Sequence, residues 1–314
     1  AKTSAKNGLK TLLVEEKPYL GGTTIYQNSE YFKINNQTSG SWLEKEINEI
    51  KKLKNLEIKT RTSVAAYHGY NFLLAKENLT DHLPIEIREK KIRHRLLKIR
   101  AKKVVNATGS IERPLIFDNN DRPGIFISSA IKRYADLYGV ACGEKNILFT
   151  NNDSAYETAI SLIQKGINVE AIIDNREEVD SKLVDEVEKN NIKIFKGFTV
   201  TDTSGYKRIN NVSIMQLSKD GQKVVGSKIN LTCDCLGVSG GWTPAVHLFT
   251  QSGGKLKFSD EDQVFIPNTY PSDQLSIGAC KGDLTLDSIF TNTPNSLKEF
   301  LDIKNTEYEN IEIL

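Results

Sequence analysis

Two apolar patterns run through this chain. Short continuous runs end at glycine, asparagine or an acid: TLLV at 11–14, VVNA at 104–107, NILFT at 146–150 and VEAII at 169–173. Between them lie stretches whose apolar positions recur every three or four residues. Trp42, Leu43, Ile47, Ile50 and Leu53 predict an amphipathic helix within 41–57, and Ala130, Ile131, Tyr134 and Leu137 predict one over Ser128–Tyr138. Further helices are expected from Asp153 to Lys165-Gly166 and over 177–190, with a strand at Ile192–Phe195 between them and the next segment. Apolar runs alternating with helical periods specify parallel strands with crossover helices, the α/β class. Of the remaining stretches, Leu56–Val64 alternates with period two. It reads as a strand, 67–103 as a solvated antiparallel hairpin, and Val200–Asp202, Ile209–Leu217 and Val224–Leu231 as a covering sheet turned at Lys219–Gln222.

The stretch Lys98–Pro114, KIRAKKVVNATGSIERP, organises the rest. Its apolar strand stops at Thr108-Gly109, where glycine admits close backbone approach, and Arg113-Pro114 takes the chain out of the sheet. The first domain is expected over 1–116 and 238–314, and a connector with an inserted second Rossmann-like domain over 117–237. The opening AKTSAKNGLK reads as the last turns of a helix that stops at Asn7-Gly8. A fragment whose first strand and glycine-rich turn are missing is therefore expected.

Charge changes little. The 42 basic and 40 acidic residues leave a net charge of +2, which gives no electrostatic case for nucleic acid or an anionic membrane. No apolar run approaches the ~20 residues of a spanning helix. Cys142, Cys233, Cys235 and Cys280 are too sparse for a disulfide framework and suit a reducing cytoplasm. His68, His82 and His94 lack metal-ligand spacing and read as surface or turn residues, so no metal is expected.

The candidate chemistry is nucleotide binding. Glu15 and Glu16 follow the strand at 11–14, where an acid accepts hydrogen bonds from ribose hydroxyls, and Gly21-Gly22 comes shortly after. An ordinary acidic turn is the plainer alternative. Ala107-Thr108-Gly109 and the small-residue turn Gly278-Ala279-Cys280 fit the same site geometry, the latter by offering backbone N–H groups to a phosphate. No catalytic residue is assigned.

The unit beginning at Asn146 repeats the strand–helix–strand layout and ends in Asp174. Its fingerprint positions hold Thr150, Asn152 and Ala155, where glycine, glycine and glycine or alanine are required. Side chains at the first two would crowd a pyrophosphate, so this unit is expected to keep its fold without a cofactor. Cys233 and Cys235, two apart, are expected to share one face as buried apolar residues rather than a C-x-x-C dithiol. Trp242 reads equally as a core aromatic or as a shield for a cofactor or subunit contact, and His247 as a packed or capping residue.

The blocks NATGSIERP (106–114), DNNDRPGIF (118–126), YGVACGEKNILFTNNDSAYETA (138–159), CDCLGVSGGWTPAVHLFTQSGGKL (233–256) and the GAC turn at 278–280 resemble the alpha subunits of heterotetrameric sarcosine oxidases across most of the chain. The resemblance implies two Rossmann-like dinucleotide-binding domains of the thioredoxin reductase type, the second inserted in the first. It implies NAD in the first domain. It also implies FAD on a beta subunit, FMN between alpha and beta, and gamma and delta subunits that complete the complex. The reaction so implied is oxidative demethylation of sarcosine to glycine with peroxide, the one-carbon unit passing to tetrahydrofolate on a domain outside this chain. Carried onto these residues, Glu15 and Glu16 should hold the adenosine ribose, with Lys17, Gly21, Gly22 and Thr23 along that edge. Val64 should meet the adenine, and Ala279, Leu284 and Leu286 should lie toward the pyrophosphate and nicotinamide. A flavin disulfide reductase, a subunit of an amino-acid or opine dehydrogenase, and a noncatalytic nucleotide-binding module are the competing readings.

Overall fold

The computed structural model describes residues 1–27, 33–179, 181–271, 273–304 and 311. The chain forms two units, one of Ala1–Ile111 with Thr243–Leu314 and the other of Glu112–Trp242. The crossings thus fall at 111/112 and 242/243, outside the expected 116/117 and 237/238. The reason is local. Arg113 N donates to Gly241 O (2.8 Å) and Gly240 N to Arg113 O (2.7 Å), which holds both flanking segments in the inserted unit.

The inserted unit is built on five parallel strands in the order Ile125–Ile127, Cys235–Ser239, Asn146–Thr150, Val169–Asp174 and Lys193–Lys196. Helices Ser128–Tyr138, Ser154–Gln164 and Lys182–Lys189 supply the apolar side chains that cover one face; the antiparallel strands Phe198–Ser204, Asn211–Leu217 and Val224–Thr232 cover the other. A strand covered on both faces reads as an unbroken apolar run, which is why NILFT is buried along its whole length. Leu148 packs in the helix-side core, Ile147 and Phe149 in the sheet-side core. Each such side chain contributes roughly 1.5–3 kcal/mol by burial. Gly237 leaves room for this packing: a Cβ there would stand 2.5 Å from Leu148 Cδ2 and 2.9 Å from Ile131 Cδ1, so those side chains would have to shift.

Cys233 and Cys235 are buried as expected, yet they do not share a face. Cys235 belongs to the helix-side core and Cys233 to the sheet-side core. The strand begins only at Cys235, so period-two alternation does not extend back to Cys233. The helix expected over 177–190 occupies only Lys182–Lys189, capped by the Ser181 hydroxyl; residue 180 of that range lies outside the described residues.

The first unit carries two parallel pairs, Thr11–Val14 with Leu56–Lys59 and Val104–Asn106 with Gln274–Ser276. An antiparallel meander follows the first pair: Thr62–His68, Phe72–Asn78 and His94–Arg100. Two hairpins, Lys255–Ser259 with Val264–Thr269 and Lys33–Ile34 with Gln37–Thr38, and helices Lys2–Lys6, Ser39–Ile50, Ile85–Arg88, His247–Gln251 and Leu286–Leu301 also belong to it. The single strand expected over Leu56–Val64 is two strands. Arg61 takes a left-handed φ of +52° and turns the chain from the parallel pair into the meander. Among the described residues no helix is long and apolar enough to cross a membrane.

Candidate functional site

The first group of candidate residues sits at the carboxyl end of Thr11–Val14. Glu15 N donates to Lys59 O (2.8 Å), Thr62 N to Glu15 O (3.0 Å) and Arg61 N to Lys17 O (2.9 Å). These bonds stitch 15–17 onto the neighbouring strand and onto the start of the meander, whose half-buried Val64 follows two residues after Thr62. The Glu15 carboxylate accepts from Lys17 N at 2.8 Å through Oε1. Glu16 turns outward, its side chain 66% exposed, and pairs with Lys17 Nζ at 3.1 Å. Gly21 has φ +119°, and a Cβ there would strike Leu43 at 2.3 Å, so this glycine lets the loop lie on helix Ser39–Ile50. Gly22 opens the short turn Gly22–Tyr26 with free space beside it, and Thr23 is exposed.

The second group sits where Val104–Asn106 and Gln274–Ser276 both end in small residues. Ile277 N donates to Asn106 O at 3.0 Å, and the buried Cys280 thiol donates to the same oxygen at 3.2 Å. Ala107-Thr108-Gly109 therefore lies beside Gly278-Ala279. Thr108 Oγ1 donates to Ala245 O (2.7 Å), and Ala245 N to Gly109 O (2.9 Å), which fixes the turn. Gly109 has φ +74° with nothing within 4 Å of a built Cβ. Asp283 N donates back to Gly278 O (3.3 Å), leaving Leu284 36% exposed just before helix Leu286–Leu301. That helix starts at Leu286, where Thr285 forms its capping box with Ser288.

The candidates thus gather in two groups at the carboxyl ends of parallel strands, and among the described residues the two strand pairs remain separate sheets. The chemistry fits a dinucleotide. A carboxylate suits ribose hydroxyls, glycines with open space suit close approach, and the first N–H groups of a long helix suit a phosphate. Among the described residues no acid, histidine and cysteine cluster could hold a metal.

In the inserted unit, Thr150 and Asn152 hold the fingerprint positions as the sequence indicates. Thr150 Oγ1 donates to Asn152 O (2.8 Å) and accepts from Asn152 N (3.0 Å), while Ala155 is fully buried against the helix-side core. Trp242 donates from Nε1 to Ser154 Oγ at 2.7 Å. His247 opens a five-residue helix and is exposed, not packed. Burial pushes the Cys233 thiol up to about 12 and raises that of Cys235 as well. Neither suits a dithiol centre, where lowered thiol values are the rule.

No protein-family model matches the chain. It is 31% identical over 284 residues to sarcosine oxidase subunit alpha of Corynebacterium sp. (strain P-1), spanning 90% of this chain and 29% of that protein. It is 29% identical over 273 residues to the subunit of that name from Rhizobium meliloti (strain 1021), 85% of this chain and 25% of that one. The chain therefore spans less than a third of these curated relatives. Among solved structures, L-proline dehydrogenase from P. horikoshii is similar at a TM-score of 0.65 and 21% identity, over 98% of this chain and 54% of that one. Thioredoxin reductase from T. acidophilum is similar at 0.66 and 18%, over 96% and 92%. These likenesses establish the α/β fold with two Rossmann-like units.

Proposed function

Because this chain is a relative of the alpha subunits of sarcosine oxidase over nine-tenths of its length, we propose that it is the dinucleotide-binding region of such a subunit and holds NAD in its first unit. The observation that carries the reading is the pair of small-residue strand ends, 107–109 and 278–279, together with an acid placed at the end of Thr11–Val14. Glu15 binds the adenosine ribose. Its main chain is anchored on both sides and its Oε1 is oriented by Lys17 N, so the carboxylate is held ready. Glu16, which the resemblance assigns to the ribose together with Glu15, turns outward with an exposed side chain, so it and Lys17 form the outer rim with Gly21, Gly22 and Thr23, and Val64 backs the adenine. The turn Gly278-Ala279 and the helix start at Leu286, with Leu284, line the phosphate and nicotinamide end. When bound, NAD supplies hydride chemistry at its nicotinamide ring.

The reaction of the whole protein is oxidative demethylation of sarcosine to glycine, with peroxide and methylenetetrahydrofolate as products. FAD and FMN are carried on or shared with the beta subunit, and gamma and delta complete a cytoplasmic heterotetramer. The disulfide-reductase reading lacks its reagent here, since Cys233 and Cys235 are buried in opposite layers. The test is sarcosine-dependent peroxide formation by the full-length protein co-expressed with its partner subunits, with and without tetrahydrofolate. Reduction of a disulfide by NADPH on the alpha subunit alone would overturn the reading.

A further inference from the structure

The fold of the inserted unit implies a second dinucleotide crevice, at the carboxyl ends of Asn146–Thr150, Val169–Asp174 and Cys235–Ser239. Its own side chains fill the positions a dinucleotide would use. Asp174, where an acid meets a ribose, is fully buried and already satisfied. It accepts from Arg176 N (2.9 Å), Arg176 Nε (3.1 Å), Arg176 Nη2 (2.8 Å) and Tyr156 OH (2.9 Å). Arg176 reaches in the other direction as well, with Nη1 2.8 Å from Asp153 Oδ1 at the start of the helix. A guanidinium therefore bridges from the ribose acid to the helix start, which is the path of the adenosine half.

The phosphate half is closed by Asn152. Its Nδ2 donates to Ser239 O and Ser239 Oγ (both 3.1 Å), and its Oδ1 accepts from Ser154 N (3.0 Å). A side-chain carbonyl thus satisfies an N–H that would otherwise face a pyrophosphate. Trp242 caps the same turn through Ser154 Oγ. A dinucleotide does not fit these residues.

We propose that the inserted unit is self-liganded: Arg176 and Asn152 stand in for the nucleotide, so no pyridine nucleotide donates electrons through this unit. The inference is independent of NAD binding in the first unit and extends the function by excluding one class of reductant at the second. It is tested by hydrogen exchange on the full-length protein with NADH and NADPH at about 1 mM. Exchange of 150–156 and 174–178 is expected to change less than twofold. Protection of these segments beyond twofold overturns the proposal, whatever happens at 15–23, so the two readings fail separately. A variant with Thr150→Gly, Asn152→Gly and Arg176→Gln keeps a hydrogen-bond donor for Asp174 and clears both fingerprint positions as well as the clamp. In it ADP-ribose is expected to protect 150–156 at least threefold. A folded variant, shown by unchanged circular dichroism, that gains no protection also overturns the proposal. Should this variant not fold, the unsubstituted protein still decides.

Discussion

Arg176 folds its guanidinium back on Asp174, Nη2 to Oδ2 at 2.8 Å and Nε to Oδ1 at 3.1 Å, over a carboxylate with no exposure to solvent. The first unit contains the same turn without the clamp. Lys17 N donates to Glu15 Oε1 at 2.8 Å as Arg176 N donates to Asp174 Oδ1 at 2.9 Å, but the Lys17 ammonium goes to Glu16. Asp174 is occupied by the Arg176 guanidinium and by Tyr156 OH, whereas the Glu15 carboxylate accepts from Lys17 N and is not met by the Lys17 ammonium.

Removing the clamp leaves a buried charge. Arg176→Ala is expected to destabilise the inserted unit by about 3–5 kcal/mol, since the surviving partner of a buried pair is left uncompensated. Asp174→Asn in the same chain should restore at least half of that loss. Urea midpoints of the two variants check this; equal destabilisation in both would show that the pair is not the source.

Gly237→Ala tests the close approach of sheet and helices. The added methyl would lie 2.5 Å from Leu148 Cδ2 and 2.9 Å from Ile131 Cδ1. Overpacking of this kind costs about 1–3 kcal/mol. A lowered melting temperature with unchanged nucleotide content is the expected result.

Two carboxylates give opposite pH dependences. Burial raises Glu112 above the ordinary glutamate range, against the hydrogen bond its carboxylate receives from Ser129 N. Its folded value exceeds its unfolded one, so its stabilising effect is complete below about pH 4.3 and fades as pH climbs through the raised value. Glu112→Gln should flatten the fall in urea midpoint on that side. Asp81 is held at about 2 by hydrogen bonds from Arg93 and His94. Its contribution is present above about pH 3.9 and is lost as pH falls toward that lowered value, so Asp81→Asn should flatten the acid limb instead.

In the first unit the carboxylates are not equivalent. Glu15→Gln should weaken NAD binding by roughly ten- to a hundredfold, from the ~1.5–3 kcal/mol of a hydrogen bond to a charged group. Glu16→Ala, which removes only an exposed partner of Lys17, should cost less than about threefold. Equilibrium dialysis of NAD against the full-length protein distinguishes them.

Much of this was legible in the residues. The inserted unit's strands are apolar on both faces, so NILFT and VEAII announce themselves, and Thr150 and Asn152 flag a fingerprint that does not fit. Three details escaped. The break at Arg61 carries no glycine to mark it, although its φ is left-handed and its N–H donates to Lys17 O. The plug at Arg176 escaped because one arginine two residues after an acid has no pattern of its own. Laying Glu15-Glu16-Lys17 beside Asp174-Asn175-Arg176 exposes it: both are acid-x-base turns at the carboxyl end of a parallel strand. The parity of Cys233 and Cys235 failed for another reason, that strand ends are set by tertiary hydrogen bonds such as Cys233 N to Asn210 O.

The number and place of bound dinucleotides test the central claim most directly. A crystal structure of the full-length protein soaked with NAD should show one dinucleotide per chain, its ribose against Glu15, with Arg176 still closed on Asp174. Density between Asn152 and Asp174, with none beside Glu15, would contradict it.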